Sequence, residues 1–495
     1  MAAGMKAPAP DIAALAKGGR TNLFGFVLRL AARIPFLFIA GRWYGAEALG
    51  VFAYAVIVVE FAAQLATLGL KRGLAEQLST TSRPHVDVVW DAMAAGFVAS
   101  AIAASILVVF PQAMFPNSPI VGFDALLPLT IFALAASDIS LAALAYRHDI
   151  ASTVRARAIV EPWTISVAAF VLAFYSLRDG LILAYVLSML AALIASVWPL
   201  LRSYGLPRGW RPNPMRILRL AWRNLPMAGA DAIEWVSRRI DIAILGLFFS
   251  PAIVGIYYVA QQLASLPQKL KTSFDPILGP VITQNLRDGN KAAVAKQVRQ
   301  AGFWIIAAQA GVALALGIPG EAWMGLVGAT FVGGTGVLAF LLAAEVVAAT
   351  AAVSEAALIY VARHRNLMIS CAMLAIQAAL SVAIILIMRH FDLPPLYQAT
   401  GPAIALMLAL GLASIAKARL LSRLLGAPVS PWRWALVWAT AAATLLGWLA
   451  TLIPEWSELV IGVPVVLSVY CLIIWYRGFG PEDRMLFKLG AEKKS

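Results

Sequence analysis

The chain carries a long series of apolar segments, each long enough to cross a bilayer as a helix of roughly 20 residues. Of its 495 residues 61% are hydrophobic and only 13% are charged, a balance that water-soluble domains of this size do not show. We therefore predict an all-α polytopic membrane protein. Fourteen segments fit the required length, at about 22–42, 46–70, 88–110, 124–146, 157–177, 180–201, 224–249, 252–276, 299–319, 333–358, 367–388, 398–416, 434–453 and 457–476.

The positions of the basic residues test this number of helices and their orientation. With the N-terminus in the cytoplasm, segments on the cytoplasmic side hold 32 of the 39 Lys and Arg residues, and the opposite side holds 3, namely Arg42, Arg178 and Arg389. Loops rich in Lys and Arg stay on the cytoplasmic side during insertion. The asymmetry predicts an even number of helices and cytoplasmic termini. The net charge of +14 is therefore explained by the basic residues of the cytoplasmic loops. Because this charge needs no further explanation, we expect no nucleic-acid partner.

A short internal repeat indicates two related halves. ALGVFAYA at 48–55 aligns without gaps with IVGIYYVA at 253–260, and the same offset of 205 places Arg33 on Arg238. Transporters with such repeats bind their substrate between the repeats, near the bilayer midplane. We predict two pseudo-symmetric six-helix lobes followed by two additional helices. The predicted boundaries are 1–201 for the first lobe, 202–218 for a basic cytoplasmic linker, 219–424 for the second lobe, and 425–495 for helices 13 and 14 with the cytoplasmic tail.

Helix 7 carries an unusual set of charges for a membrane span. Asp231, Glu234, Arg238 and Asp241 fall at offsets of 0, 3, 7 and 10 residues and share one helical face, and Arg239 points about 100° away. Each charge at the bilayer centre costs roughly 2.5–3.5 kcal/mol, so it needs a partner or a wet cavity. Two interpretations remain open. The acids neutralise Arg238 at helical spacing, or Arg238 belongs to a cationic lumen that holds an anionic substrate.

Other predicted helices add further charged candidates. In helix 1, Arg29 and Arg33 share a face at i,i+4 spacing and have no acid at helical spacing in their own helix. Arginine suits phosphate because its planar guanidinium donates two parallel hydrogen bonds. The acids that we expect to pair with such arginines, or to couple an ion, are Asp231, Glu234, Asp241, Glu60, Asp138, Glu345 and Glu355.

Two blocks of the sequence resemble a known transporter family. RWYGAEALGVFAYAVIVVEFAAQLATLGLKRGLAEQLS, at 42–79, is similar to the first helices of polysaccharide-precursor flippases, which move O-antigen and exopolysaccharide precursors. RRIDIAILGLFFSPAIVGIYYVAQQLASLPQKLKTSFDPILGPVITQNLRDG, at 238–289, resembles helices 7 and 8 of the same family. These flippases belong to the MOP exporter superfamily, together with multidrug and toxin extruders and the lipid II flippase.

The resemblance implies a fold, a substrate and a location. It implies two lobes that alternate between inward-open and outward-open states. The substrate would be an undecaprenyl-diphosphate-linked oligosaccharide, moved from the cytoplasmic to the periplasmic leaflet of a bacterial inner membrane without a cofactor or metal. Membrane lipids and a polysaccharide polymerase or export machinery would be the partners. The residues implied to bind the diphosphate or glycan are Arg29, Arg33, Arg238, Arg239 and, at the inner end of helix 2, Arg72.

Two other functions compete with this interpretation. An ion-coupled multidrug exporter of the same superfamily would need acids for cationic drugs, whereas four arginines lie in the predicted central helices. A membrane glycan-processing enzyme would need polar groups on an outer loop, and the longest predicted outer loop spans only 111–123. No GxxxxGK[ST] phosphate-binding loop occurs in the sequence, which excludes an ATP-driven pump within this chain.

Overall fold

The computed structural model describes residues 34–116, 118–120, 122–207, 209–267, 290–452 and 457–480, apart from the side chains of Glu234 and Tyr360. Throughout these ranges the chain forms helices and their connections, with no β-strand. The prediction of an all-α polytopic membrane protein is confirmed. Arg29 and Arg33 lie outside the described residues.

The described residues from 34 to 267 form ten helices, besides the 3-10 segments Pro111–Ala113 and Gly122–Leu129. They are α1 over 34–44, α2 Gly45–Ala66, α3 Leu70–Thr80, α4 His85–Val109, α5 Thr130–Tyr146, α6 Ile150–Ala173, α7 Gly180–Tyr204, α8 Pro214–Ser237, α9 Ile240–Phe248 and α10 over 251–267. The chain bends between α1 and α2 at Gly45, whose φ of 81° favours a residue without a side chain.

Seven further helices follow in the described part of the chain after residue 290, besides the short helices Ala329–Gly334 and Pro395–Gln398. They are α11 Lys291–Gly317, α12 Gly320–Val327, α13 Thr335–Val361, α14 Arg363–His390, α15 Gly401–Leu425, α16 Trp434–Ala450 and α17 Glu458–Gly478. The α15 helix runs nine residues beyond the predicted end of helix 12 at 416, which places Lys417 inside a helix rather than in a loop.

Ten helical segments of the described residues are long and apolar enough to cross a membrane. Some of the fourteen predicted spans are not among these ten segments as separate helices, and each has a local reason. The regions of predicted helices 1 and 2 lie, together with α3, in one observed segment, Ile34–Thr80. The observed helix in the region of predicted helix 13 has only 17 residues. Helix 7 carries charges and is interrupted, and α10 is described only as far as residue 267.

The interruption of helix 7 corrects the prediction that its charges share one face. The α8 helix ends at Ser237, and Arg238 and Arg239 form a turn before α9 begins at Ile240. In this turn the amide of Arg239 donates to the Val236 carbonyl at 3.0 Å, three residues back instead of four. Arg239 adopts φ −139° and ψ 1°, so the face that carries Asp231 does not continue into α9.

The chain divides into two compact units, one from Arg20 to Gly255 and one that contains Ile256–Ser495. In the first unit an aliphatic core forms where α3, α4 and α5 meet, including Leu74, Val89 and Leu144. In the second unit Phe303 and Tyr470 belong to a buried hydrophobic cluster. Both α8 and α9 belong to the first unit. The division into two pseudo-symmetric six-helix lobes stays a prediction.

Candidate functional site

A row of three ion pairs joins the α2–α3 segment to the α8–α9 segment within the first unit. Glu60 bonds to Arg239, Arg72 to Asp231 at 3.0 Å, and Glu76 to Arg223 at 3.1 Å. Residue numbers rise along one segment while they fall along the other, so the two segments run antiparallel. We call these three pairs the ion-pair ladder. The predicted arginines Arg72 and Arg239 both belong to it, as do the predicted acids Glu60 and Asp231.

Burial changes along the ladder. Glu60 and Arg239 are 26% and 33% exposed, and Asp231 is 3% exposed while its partner Arg72 is largely open. The Glu76 and Arg223 side chains are both more than half exposed. Glu60 lies about 9 Å before the end of α2, by the helical rise per residue. The ladder therefore runs from within a membrane span toward the end that the charge distribution assigns to the cytoplasm.

The Arg239 guanidinium has a carboxylate on one side and an aromatic face on the other. Its central carbon lies 5.0 Å from the ring centroid of Trp235, and that ring lies 5.3 Å from the ring of Phe61. A flat, delocalised cation suits both contacts, because it stacks on a ring and still donates hydrogen bonds in its plane. The turn that interrupts helix 7 positions Arg239 for these contacts.

Close backbone packing holds the middle of the ladder in place. Gly69, with φ 69°, immediately precedes α3, and a Cβ there would lie 2.8 Å from the Asn224 carbonyl oxygen. A Cβ on Gly73 would overlap the Asn224 side chain. Asn224 is buried and donates through Nδ2 to the Leu220 carbonyl at 2.8 Å. Because α3 approaches α8 so closely here, Arg72 is held beside Asp231.

A second ionic network also contacts α3, through Lys71. Lys71 is 3.6 Å from Asp138 of α5, and Arg157 of α6 bonds to both Asp138 and Glu161, the latter at 2.6 Å. The consecutive residues Lys71 and Arg72 thus reach acids on two different helices. This arrangement places Asp138 in a structural ion-pair network with three neighbours. Sequence reasoning had anticipated pairing for Asp138 but not its partners.

Tyr185 of α7 is a buried tyrosine that is influenced by charges of both the ladder and the second network. Its side chain is 4% exposed, and its hydroxyl makes no hydrogen bond to the residues that the structure describes. The hydroxyl is within electrostatic reach of Glu60 and Arg239 of the ladder and of Glu161 and Arg157 of the second network. A buried hydroxyl without a partner commonly marks a place where water or a ligand group can bind.

The structure distributes the remaining predicted residues over both units. In the first unit Arg238 is exposed beside Arg239, and buried Asp241 is the second residue of α9, where its Oδ1 accepts from the Ile242 amide at 2.9 Å. In the second unit Glu345 is half-buried in α13, and Glu355 pairs with Lys417 at 3.0 Å. Of Glu234 the structure describes only its place in α8.

Sequence reasoning missed several residues of these networks. They are Lys71, Glu76, Arg157, Glu161, Arg223, Tyr185 and Lys417. One signal was available. Arg157 and Glu161 stand at i,i+4 spacing near the start of a predicted span, where a paired arginine and glutamate can be tolerated.

The arrangement can exchange one anion for another. Each ladder arginine is already neutralised by a carboxylate, so no unpaired charge has to be held in the membrane before a ligand arrives. A phosphate group can accept the same paired hydrogen bonds from a guanidinium as a carboxylate does. The ladder can therefore release a carboxylate as it binds a phosphate.

Comparison with known proteins gives a family and a fold. A family model described as polysaccharide biosynthesis protein matches residues 41–314. Comparison with curated protein sequences gives no significant match.

Solved structures resemble the chain over most of its length. The lipid II flippase MurJ in an inward closed conformation aligns with a TM-score of 0.67 at 12% identity, covering 92% of this chain and 99% of that chain. An inward-facing multidrug resistance MATE transporter of the MOP superfamily gives 0.61 at 14% identity, covering 80% and 94%. A MOP superfamily transporter from Pyrococcus furiosus, described as having a binding pocket of reverse polarity, gives 0.58 at 13% identity, covering 83% and 95%.

Proposed function

Because the chain belongs to the polysaccharide biosynthesis protein family, we propose that it is a flippase for an undecaprenyl-diphosphate-linked oligosaccharide. The membership confirms the family resemblance noted in the sequence, and the MurJ-like and MATE-like fold is that of MOP superfamily transporters. The proposed movement is from the cytoplasmic to the periplasmic leaflet of a bacterial inner membrane, by alternating access. The proposed partners are membrane lipids and a polysaccharide polymerase or export machinery.

The observation that carries the proposal is the Glu60–Arg239 pair inside a membrane span, with Arg238 beside it. A diphosphate has enough acceptor oxygens to engage more than one guanidinium at once. In this mechanism the diphosphate takes Arg239 from Glu60, with Arg238 as a second donor, and Arg72 meets it nearer the cytoplasm. Arg29 and Arg33 remain proposed phosphate ligands on the strength of the sequence alone.

The carboxylates have a role in release. When the diphosphate leaves toward the periplasm, Glu60 and Asp231 take back Arg239 and Arg72, so the arginines are not left unpaired in an apolar environment. Such exchange keeps binding reversible, because each new phosphate contact replaces an existing carboxylate contact. Glu234, Asp241, Asp138, Glu345 and Glu355 stay proposed for charge pairing or ion coupling.

The acids of the ladder support a second candidate function, because a carboxylate can bind a cation. A multidrug exporter of the same superfamily would bind a cation at Glu60 or Asp231 instead of an anion at the arginines. The two functions predict different consequences of neutralising Glu60. An amide at position 60 frees Arg239 for phosphate, whereas it removes the ligand for a cationic drug.

The test uses the purified full-length protein in liposomes. The probe is undecaprenyl diphosphate that carries N-acetylglucosamine, and its exposure on the far leaflet is measured with a sugar-binding lectin. We expect wild type to move the probe, Glu60→Gln to move it more slowly because release lacks the carboxylate, and Arg239→Ala not to move it. If the wild type moves ethidium but not the lipid, and Glu60→Gln abolishes ethidium transport, the exporter function replaces the flippase.

A further inference from the structure

The second unit buries a lysine among three helices. Lys417 of α15 is 5% exposed, and its ammonium lies 3.0 Å from a carboxylate oxygen of Glu355 on α13. The ammonium also donates to the Ser370 hydroxyl of α14 at 3.2 Å. A lysine is seldom buried to this degree unless an ion pair or hydrogen bonds offset the free energy lost when its ammonium leaves water.

The three residues lie at one level within their helices. Glu355 is six residues before the end of α13 at Val361, and Ser370 is seven residues after the start of α14 at Arg363. Lys417 is eight residues before the end of α15 at Leu425. By the helical rise these separations are about 9–12 Å, so the group lies well inside the helices and not in a surface loop.

The two members of the ion pair differ in their access to water. The Lys417 side chain is 6% exposed, whereas the Glu355 side chain is 37% exposed. One turn before Ser370, on the same face of α14, buried Asn366 has an Oδ1 without a hydrogen-bond partner among the described residues. The Lys417 ammonium is therefore shielded from water, and the Glu355 carboxylate is its route of proton exchange with solvent.

In the described helices that pack on α15, Glu345 is the one acid besides Glu355. Glu345 lies ten residues from Glu355 along α13, a rise of about 15 Å. The other charged residues and the histidines of α15 and of the helices packed on it are all basic. They are Lys291, Lys296, Arg299, Arg363, His364, Arg365, Arg389, His390, Arg419 and Arg423. Charged Lys417 thus depends chiefly on Glu355.

We propose that Lys417 and Glu355 form a proton-exchange site that couples transport to a proton gradient. The Lys417 ammonium passes one proton to the Glu355 carboxylate, which leaves a neutral amine and a neutral carboxylic acid. Glu355 then gives the proton to water, and the reverse steps restore the ion pair. Separating the two residues removes the pairing that offsets the burial of both charges, so a change in their distance drives the proton transfer. The coupling rests on the proposed function, whereas the proton exchange does not.

Arginine at position 417 separates proton exchange from charge pairing, because a guanidinium keeps its charge and does not release its proton. Liposomes that contain the full-length protein are tested with the sugar-bearing undecaprenyl diphosphate, with and without an imposed proton gradient. We expect the gradient to accelerate wild type and the control Lys291→Arg, an exposed lysine, several-fold. Lys417→Arg should keep exchange of the probe without a gradient and lose the acceleration. Equal acceleration of Lys417→Arg and wild type would overturn the coupling.

A second measurement needs no substrate, so it decides on proton exchange even if the proposed function fails. Neutral amines react with acetic anhydride and ammonium groups do not, and mass spectrometry quantifies acetylation at each lysine. At neutral pH we expect Lys417 to react several-fold more in Glu355→Gln than in wild type, with Lys291 as the internal reference. If Lys417 of Glu355→Gln is acetylated at pH 11 but stays as unreactive as wild type at neutral pH, the reagent reaches it and the lysine holds its proton, so the site is a structural ion pair.

Discussion

Gly50 of α2 and Gly255 of α10 pack backbone against backbone. A Cβ on Gly50 would lie 2.8 Å from the Gly255 nitrogen and would overlap the Pro251 carbonyl oxygen, and a Cβ on Gly255 would overlap the Ala46 carbonyl oxygen. These are the two glycines that the internal repeat aligns at an offset of 205. The aligned glycines of the repeat therefore meet where two helices cross, and small residues allow membrane helices to approach this closely.

Replacing Gly50 by Ala should force α2 and α10 apart. Overpacking of this kind typically costs about 1–3 kcal/mol, because backbone atoms cannot move aside as a flexible side chain can. We expect a lower thermal unfolding midpoint for the purified protein in detergent. The matched control is Gly229→Ala in α8, where a Cβ would meet nothing within 4 Å. A midpoint for Gly50→Ala equal to that of the control would contradict the tight crossing.

The sequence predicts the helices better than their charge contacts. Apolar length and the distribution of Lys and Arg are local properties, and they predict helices in the regions where the structure has them. Pairing of Glu60 with Arg239 joins residues 179 positions apart, so no helical spacing indicates it. The interruption of the helix at Arg238 and Arg239 could not be predicted either, because SRRIDIA contains no Gly or Pro that would indicate a helix break. Tertiary contacts to Glu60 and Trp235 accompany the turn there.

The pair Glu60–Arg239 allows phosphate binding to be separated from structural pairing. Arg239→Ala should abolish movement of the lipid-linked probe, and Arg239→Lys should retain part of it, because charge remains while the guanidinium fork is lost. The pair is partly exposed, so we expect a stability loss of about 1–3 kcal/mol for Arg239→Ala, between the values for surface and buried pairs. Transport is measured in liposomes and stability by thermal unfolding.

The double variant Glu60→Gln with Arg239→Gln serves as the control for this prediction. It removes both charges together, so much of the stability lost in Arg239→Ala should return, since no carboxylate is left without its partner. Movement of the probe should remain absent, because the phosphate donor is still missing. Recovery of transport in the double variant would mean that Arg239 acts only by neutralising Glu60.

Arg157 should matter for stability more than any single rung of the ladder. It bonds to Asp138 and Glu161 at once, and these three side chains are 19%, 16% and 27% exposed. Arg157→Met leaves two carboxylates short of a partner, which typically costs about 3–5 kcal/mol for buried pairs. Lys71 keeps contact with Asp138, so we expect the lower end of this range. The thermal midpoint should fall clearly, while the exposed neighbour Arg155→Met should stay close to wild type.

Asp91 of α4 anchors the linker that precedes α8. It is 3% exposed and accepts hydrogen bonds from Arg83 at 2.7 Å and from the Trp210 indole nitrogen at 2.9 Å. The Trp210 ring also lies 6.2 Å from the ring of Trp90, so the linker is held by a polar and an aromatic contact together. Asp91→Ala removes the acceptor that both donors share, at a cost of about 1–3 kcal/mol.

We therefore expect chymotrypsin to cut after Trp210 several-fold faster in Asp91→Ala than in wild type, because the tryptophan leaves its site more often. Asp91→Asn should fall between the two, since the amide oxygen can still accept one of the hydrogen bonds. The control is Asp87→Ala, one turn earlier on the same helix, which should be cut at the wild-type rate. Gel electrophoresis of timed digests gives the rates. Equal cleavage of Asp91→Ala and Asp87→Ala would mean that the aromatic contact with Trp90 holds the linker without help from Asp91.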